Sequence, residues 1–186
     1  MNAPTRFTSL PESPLRGVAK EAWRAFYAGL QVQASSVISE SGGLGIFDIR
    51  PRRLVELGYA TGLRSERRPT QHAWVSGVCS RCRTERTNAT DMETCQMGRQ
   101  IQVCEFLLPW TQARFLANPY AQYTALAQSM RLYYDALRDG KLVKPKDATV
   151  AGALVVLHRG GRGALEAWPK LFSGTKALYK KVHKVF

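Results

Sequence analysis

A helical repeat of apolar side chains between two clear boundary signals constrains the fold of this chain most. Asn118 can cap a helix N-terminus, and Pro119 suits the first helical position. Gly140 can end the same helix in the left-handed conformation. Between them, apolar and aromatic residues recur every three or four positions: Tyr120, Tyr123, Leu126, Ala127, Met130, Tyr133, Tyr134 and Leu137. This pattern predicts a long helix whose tyrosines pack in the core, with stacking on a sugar ring as the alternative.

Further helices are predicted on both sides of this one. Ser13-Pro14 predicts the start of a helix that continues to Glu40, and Pro51 predicts the start of a shorter one. The stretch from Val150 to His158 is almost wholly apolar, so we expect a central helix there. Because helices account for most of the regular pattern, the sequence predicts a mainly α fold.

The composition is that of a folded chain. Its 186 residues are enough for one domain with a sizeable core, and 45% apolar residues exclude a disordered chain. No apolar run approaches the roughly 20 residues that a membrane span needs. Met1 to Pro14 lacks the apolar segment of a secretory signal, and we expect residues 1–12 to form a flexible arm.

The charge of the chain points to an anionic partner. A formal net charge of +13 suits nucleic acid, a membrane surface or a polyanionic cell wall. For any single basic cluster, the expectation is solvated surface charge. There are three such clusters: Arg50, Arg52 and Arg53; Arg64, Arg67 and Arg68; Lys180, Lys181 and Lys184.

The stretch from Ser39 to Ile49 combines a carboxylate with two glycines and a short apolar segment. Gly42-Gly43 is predicted to end the preceding helix, so Glu40 would lie in its last turn. The helix dipole is negative there and the neighbours are apolar, so both raise the pKa of a carboxyl at this position. Such a group can hold a proton near neutral pH and act as a general acid. The alternative is a solvated glutamate at a helix end.

The four cysteines lie close together in the sequence. Cys79, Cys82, Cys95 and Cys104 follow the spacing C-x2-C-x12-C-x8-C. One C-x-x-C pair with two further thiolates can surround a structural Zn²⁺, although the second half lacks the C-x-x-C of a zinc ribbon. Two disulfides and unpaired buried thiols are the alternatives. Catalysis by a cysteine is not expected.

Three motifs follow one another along the chain. They are Glu40-Ser41-Gly42-Gly43, Gly45-Ile46-Phe47-Asp48-Ile49, and the stretch from Ala151 to Gly163. With the helix after Phe115, they resemble the lytic transglycosylase and goose-type lysozyme superfamily, and its phage-associated members in particular. In that superfamily the first motif carries the catalytic acid and the second lines the cleft. Here Asp48 stands in place of the usual glutamine, and His158-Arg159 in place of the usual Tyr-Asn pair.

The resemblance implies a lysozyme-like, two-lobed helical domain over residues 13–186, with a basic, cysteine-containing insertion at 65–105. It also implies cleavage of the β-1,4 bond between N-acetylmuramic acid and N-acetylglucosamine, with Glu40 as general acid and base. No cofactor takes part in that chemistry.

The same resemblance implies a substrate site around Glu40. Ser41 would orient the acid, and Phe47, Asp48 and His158 would line the sugar site. Asp48 is also the nearest candidate for the second carboxylate of a hydrolase. Core packing is the alternative for Phe47, and a helix-end histidine satisfied by hydrogen bonds is the alternative for His158.

Three functions are consistent with these features. The first is a muramidase carried by a phage particle, which would deliver it into the bacterial envelope without a secretion signal. The second is a structural virion protein, in the tail or inside the particle, built on a lysozyme-like scaffold. The third is a DNA-binding protein, suggested by charge alone because no recognised binding motif accompanies it. The expected partners are peptidoglycan strands and other virion proteins, with DNA contacted only non-specifically and no membrane span.

Overall fold

The structure, a computed structural model, describes residues 13–33, 36–39, 42–75, 78–79, 92–168 and 173–186. Within it, residues 68–75, 79, 92–99 and 173–174 are described by their backbone alone. The elements in chain order are α1 Lys20–Gly29, α2 Pro51–Glu56, β1 Ala60–Val75, β2 Val78–Cys79, β3 Met92–Phe106, α3 Gln112–Leu116, α4 Pro119–Arg138, α5 Val150–Glu166 and α6 Ser173–Val182. The fold is mainly α, as expected. Over these ranges, every helix is too short or too polar to cross a lipid bilayer.

The two helices with the strongest sequence signals form as predicted. In α4 the Asn118 side chain accepts a hydrogen bond from the N–H of Ala121 at 3.0 Å, which caps the helix. Thr149 caps α5 in the same way, through the N–H of Gly152. Helix α5 is kinked at Gly161, where φ is +68°. The apolar part of α5 therefore ends close to its predicted boundary, and a short final segment continues in a new direction.

Helix α5 lies at the centre of the core. Its residues from Ala151 to Leu157 are all buried, and it packs against α4 and α6. Helix α1 also packs against α6, and its Trp23 donates a hydrogen bond to the hydroxyl of Tyr123 in α4 at 2.7 Å. Because indole and phenol groups satisfy each other, two large aromatic side chains are buried without an unpaired polar atom.

The first helix is much shorter than predicted. It begins at Lys20, after Gly17 with φ of +79°, and ends at Gly29. Residues 31–33 and 36–39 are not helical. The prediction that this helix continues to Glu40 is therefore wrong, and Glu40 itself lies outside the described ranges.

A long antiparallel ribbon is formed by residues 60–75 and 92–106. Strand β1 pairs with β3 from Ala60–Phe106 to Ala73–Met92, and β2 lies on the other edge of β1. Helix α2 packs against both long strands near Ala60 and Cys104, which are buried in the core. The ribbon therefore spans the predicted insertion at 65–105 and joins the helical body at one end. The predicted arm, residues 1–12, lies outside the ranges that the structure describes.

Candidate functional site

The second motif forms a compact reversal rather than an extended segment. Leu44 forms β-bridges with Ile38 and with Ile49, so the chain folds back on itself twice. The N–H of Gly42 donates to the carbonyl of Ser39 at 2.9 Å, and the N–H of Ser39 donates to the carbonyl of Gly43 at 2.8 Å. Glu40 and Ser41 lie outside the described ranges. In sequence they fall between Ser39 and Gly42, which the first of these hydrogen bonds joins.

Asp48 is the point where three parts of the chain meet. Its side chain is 3% exposed and its φ is +52°, in the left-handed region that Asp tolerates better than most residues. The hydroxyl of Ser39 donates to Asp48 Oδ1 at 2.6 Å, and the guanidinium of Arg159 forms an ion pair with Oδ2. A Cβ atom at position 43 would overlap the Asp48 carboxylate, so only glycine fits there. The carboxylate thus joins the residue before Glu40 to the third motif.

His158 forms a second link between the motifs. Its Nε2 lies 2.7 Å from the carbonyl oxygen of Phe47. Because a carbonyl oxygen can only accept, Nε2 carries the ring proton and Nδ1 keeps its lone pair. Burial lowers the pKa of His158 to about 4, helped by the nearby positive charges of Arg159 and Arg50. The imidazole is therefore neutral at physiological pH, and its Nε2–H donates to the Phe47 carbonyl.

This histidine predicts a pH-dependent stability. The unfolded chain binds a proton at His158 near pH 6.5, whereas the folded chain does so only near pH 4. The unfolded state binds more protons in that window, so stability is complete above about pH 6.5 and falls as the pH drops to 4. We expect a loss of about 3 kcal/mol from this residue. His158→Gln keeps a donor for Phe47 but does not titrate. The difference between the two proteins in free energy of unfolding, measured by urea denaturation, should therefore change by this amount between pH 6.5 and pH 4. If the free energies of unfolding of the two proteins change with pH in the same way, the prediction is wrong.

Gln122 connects helix α4 to the second motif through a hydrogen bond. Its side chain is fully buried, and Oε1 accepts a hydrogen bond from the N–H of Ile46 at 2.8 Å. Its Nε2 donates to the carbonyls of Phe115 and Leu116 at 3.0 Å. A Cβ atom at Gly45, where φ is +69°, would overlap this amide. Sequence reasoning missed Gln122, although a polar residue on the apolar face of α4 was a signal that could have identified it.

A cleft of about 590 Å³ opens beside the meeting point of the motifs. It is lined by α2, by Ser129 and Tyr133 of α4, by Leu142, and by the end of α5 from Leu157 to Gly163. Its basic lining consists of Arg50, Arg52, Arg53, Arg159 and Arg162. The first arginine cluster of the sequence, expected to be solvated surface, therefore lines this cavity.

One carboxylate, Glu56, faces these arginines in the lining. It forms ion pairs with Arg53 at 2.6 Å and with Arg52 at 3.6 Å. The Arg53 guanidinium also lies 4.2 Å from the ring centroid of Tyr133, in the arrangement of a cation–π contact. The described lining thus carries five positive groups and one negative group. Such a cavity favours an anionic ligand.

The predicted substrate residues have different outcomes. The Phe47 side chain is completely buried in the core, and Asp48 is buried against Ser39 and Arg159. Neither side chain can touch a sugar or activate a water in this conformation, so their prediction as substrate contacts is corrected to a structural role. His158, although 7% exposed, lines the cleft. The structure brings the second and third motifs together, and Glu40 and Ser41 stay predictions.

The cysteine prediction is corrected for one of its four members. Cys104 is a free, buried thiol in β3, with its Sγ 3.4 Å from the Pro51 carbonyl, and burial raises its pKa to about 12. Cys95 lies nine residues earlier in the same strand, and at about 3.3 Å per residue the two are far too distant to share a metal. The thiols of Cys79, Cys82 and Cys95 lie outside the described side chains, so zinc or a disulfide there stays a prediction. Elsewhere in the described chain, no cluster of potential metal ligands occurs.

Comparison of the chain with models of known protein families, with curated proteins and with solved structures found no match in any of the three.

Proposed function

We propose that the protein is a muramidase of the lytic transglycosylase type, with Glu40 as its general acid and base. The observation that carries this proposal is the assembly of the motifs. Arg159 and His158 of the third motif bind Asp48 and Phe47 of the second, 111 residues away in each case. Ser39, the residue before Glu40, binds the same Asp48. The arrangement supports a catalytic acid beside a cleft, which is where a glycosidase needs one.

The buried state of Asp48 favours a mechanism with one protein carboxylate. Glu40 would donate its proton to the glycosidic oxygen as the bond from that oxygen to C1 of muramic acid breaks. The substrate's acetamido group would stabilise the cationic C1. Glu40 would then accept the proton of the muramyl 6-hydroxyl as its oxygen bonds to C1. The product is an anhydro sugar, and no water is consumed.

The charge of the protein supports an anionic polymer as substrate. The net charge of +13 favours association with an anionic bacterial wall. The arginines that line the cleft attract anionic groups to the site in the same way. A phage particle would bring such an enzyme to the wall, in keeping with the phage-associated members that the motifs resemble. Peptidoglycan strands and neighbouring virion proteins are the partners in this proposal.

Digestion of purified sacculi tests the proposal. We expect the protein to release muropeptides that end in anhydro-muramic acid, each lighter by one water than the corresponding hydrolysis product, as measured by mass spectrometry. Products with reducing ends would instead require hydrolysis and a second carboxylate. If the purified, folded protein releases no muropeptides from sacculi that a known lysozyme digests, the proposed activity is wrong.

A structural virion protein is the second candidate, and the ribbon favours it. Among the ribbon side chains that the structure describes, Arg64, Arg67, Gln100 and Gln102 are exposed, whereas Ile101 and Val103 are buried. Outside the ribbon itself, its main packing partner is α2. A long two-stranded element joined to the body at one end suits docking into an assembly. Stable incorporation into particles without any muropeptide release would favour this candidate over the first.

A further inference from the structure

The arginine-lined cleft contains a hydroxyl group that no described residue satisfies. Ser129 is 1% exposed and lines the cleft, and its Oγ has no hydrogen-bond partner within the described chain. A buried hydroxyl without a partner is costly, and such groups are rare in folded proteins. The position of Ser129 on a core helix therefore suggests that a ligand supplies the missing partner.

The charged groups around this hydroxyl are of the kind that recognises a planar anion. Arg162 follows the kink at Gly161, and its side chain is 72% exposed. Arg52 is also largely exposed, whereas Arg53 is held over Tyr133. Guanidinium groups bind carboxylates and phosphates through paired hydrogen bonds, more specifically than lysines do. Within the described chain, Arg52 and Arg162 are paired with exposed glutamates, which they can exchange for a ligand at little cost.

We propose that this cleft binds a carboxylate of the peptide attached to muramic acid, so that the preferred substrate is peptide-bearing rather than bare glycan. This inference rests on the proposed function, since it names the part of the wall polymer that the cleft recognises. Arg162 and Arg52 hold the carboxylate, and Ser129 donates its hydroxyl to the same group or to its neighbouring amide.

The shape of the site favours this ligand over nucleic acid. About 590 Å³ is within the range of cavities that enclose small molecules, roughly 300–1,000 Å³. Non-specific nucleic-acid binding instead uses an extended basic groove that tracks the phosphate backbone. A peptide end on a sugar can enter a concave pocket, and its carboxylate is the charged group that the arginines then meet.

Binding of two matched probes tests the inference. The first probe is a soluble N-acetylmuramyl tripeptide with a free terminal carboxylate, and the second is the same compound with that carboxylate as an amide. By calorimetry at physiological salt, we expect the acid to bind the protein at least about tenfold more tightly than the amide. Arg162→Gln should remove most of this preference. Arg138→Gln, which removes an exposed arginine at the end of α4 outside the cleft, should retain it.

Ser129→Ala is the second variant. It should weaken binding of the acid severalfold, and it should leave the melting temperature unchanged or raise it, because it removes an unsatisfied buried group. A lower melting temperature would mean that Ser129 has a structural partner and no ligand role. This variant also separates loss of binding from loss of fold.

Several outcomes overturn the inference. One is equal affinity for the two probes, including no binding of either. Another is the same loss of preference in Arg138→Gln and Arg162→Gln. Tighter binding of inorganic phosphate or of a short DNA duplex than of the acid would assign the cleft to phosphate. Since binding needs no turnover, a protein that prefers the acid but releases no muropeptide refutes the proposed function alone. A protein that cleaves sacculi without preferring the acid refutes this inference alone.

Discussion

Replacement of Glu40 by glutamine is expected to lower the rate of muropeptide release from sacculi by about 10²–10⁴-fold. The amide has nearly the same size as the carboxyl but cannot donate a proton to the leaving oxygen or accept one from the 6-hydroxyl. Both steps of the proposed route therefore fail together. The measurement is the initial rate of release of soluble muropeptides, with the unfolding midpoint of the variant checked in parallel.

Glu21→Gln is the matched control for this experiment. Glu21 is exposed in the first turn of α1, and its replacement changes the net charge by the same amount. We expect the control to keep the wild-type rate. Equal losses in the two variants would indicate that charge and adhesion to the wall, rather than acid catalysis, limit the rate. A fully active Glu40→Gln protein would remove Glu40 from the mechanism.

Loss of the ion pair between Asp48 and Arg159 is expected to have the largest effect on stability. Arg159→Met leaves the Asp48 carboxylate, which is 3% exposed, without its cationic partner. Breaking a buried pair from one side typically costs about 3–5 kcal/mol. We expect a loss of this size in the free energy of unfolding, measured by urea denaturation. Activity should fall as well, because the pair holds the third motif against the second.

Two further variants separate the charge effect from packing. Arg162→Met removes an arginine three positions later, whose pair with Glu166 is exposed, and should cost less than about 1 kcal/mol. Combining Arg159→Met with Asp48→Asn removes the unpaired charge, and asparagine also tolerates the positive φ at this position. The double variant should therefore be more stable than Arg159→Met alone. If it is less stable, the ion pair is not what Arg159 contributes.

The helices with strong local signals were predictable from the sequence. Helix α4 begins at a capping asparagine followed by proline, and α2 begins at Pro51, as the sequence indicates. The first helix was overestimated because Val37 and Ile38 continue an apolar spacing that in fact belongs to a chain reversal. Ile38 forms a β-bridge with Leu44 instead of another helical turn. Short apolar runs are ambiguous between helix and strand for this reason.

The ribbon was not predictable from periodicity. Strand signals depend on one apolar face, and in the part of β1 whose side chains the structure describes, Arg64, Ser65 and Arg67 are exposed. From 64 to 72, β1 carries no apolar side chain apart from Pro69, so it shows no alternation of apolar and polar residues. Its pairing with β3 is set by contacts between residues tens of positions apart, which a local pattern cannot express.

The site was predicted as motifs but not as contacts. The resemblance pointed to the second and third motifs, which support or line the cleft. It predicted that Asp48 contacts the substrate, whereas Asp48 forms an ion pair with Arg159. An ion pair over 111 residues follows from the tertiary arrangement and has no local signal. Gln122 and Ser129 are polar residues on the otherwise apolar face of α4. A polar residue at a core position conflicts with the helix pattern, and this conflict could have identified both residues.

In the proposed function, Glu40 faces a glycosidic bond held in the cleft beside His158. A crystal structure of Glu40→Gln with a bound muropeptide tests it most directly, since this variant should bind substrate without cleaving it. We expect the sugar chain in the arginine-lined cleft, with the side-chain amide of residue 40 within hydrogen-bond distance of the oxygen that joins muramic acid to N-acetylglucosamine. A muropeptide bound elsewhere, or a residue 40 that points into solvent away from that oxygen, would contradict it.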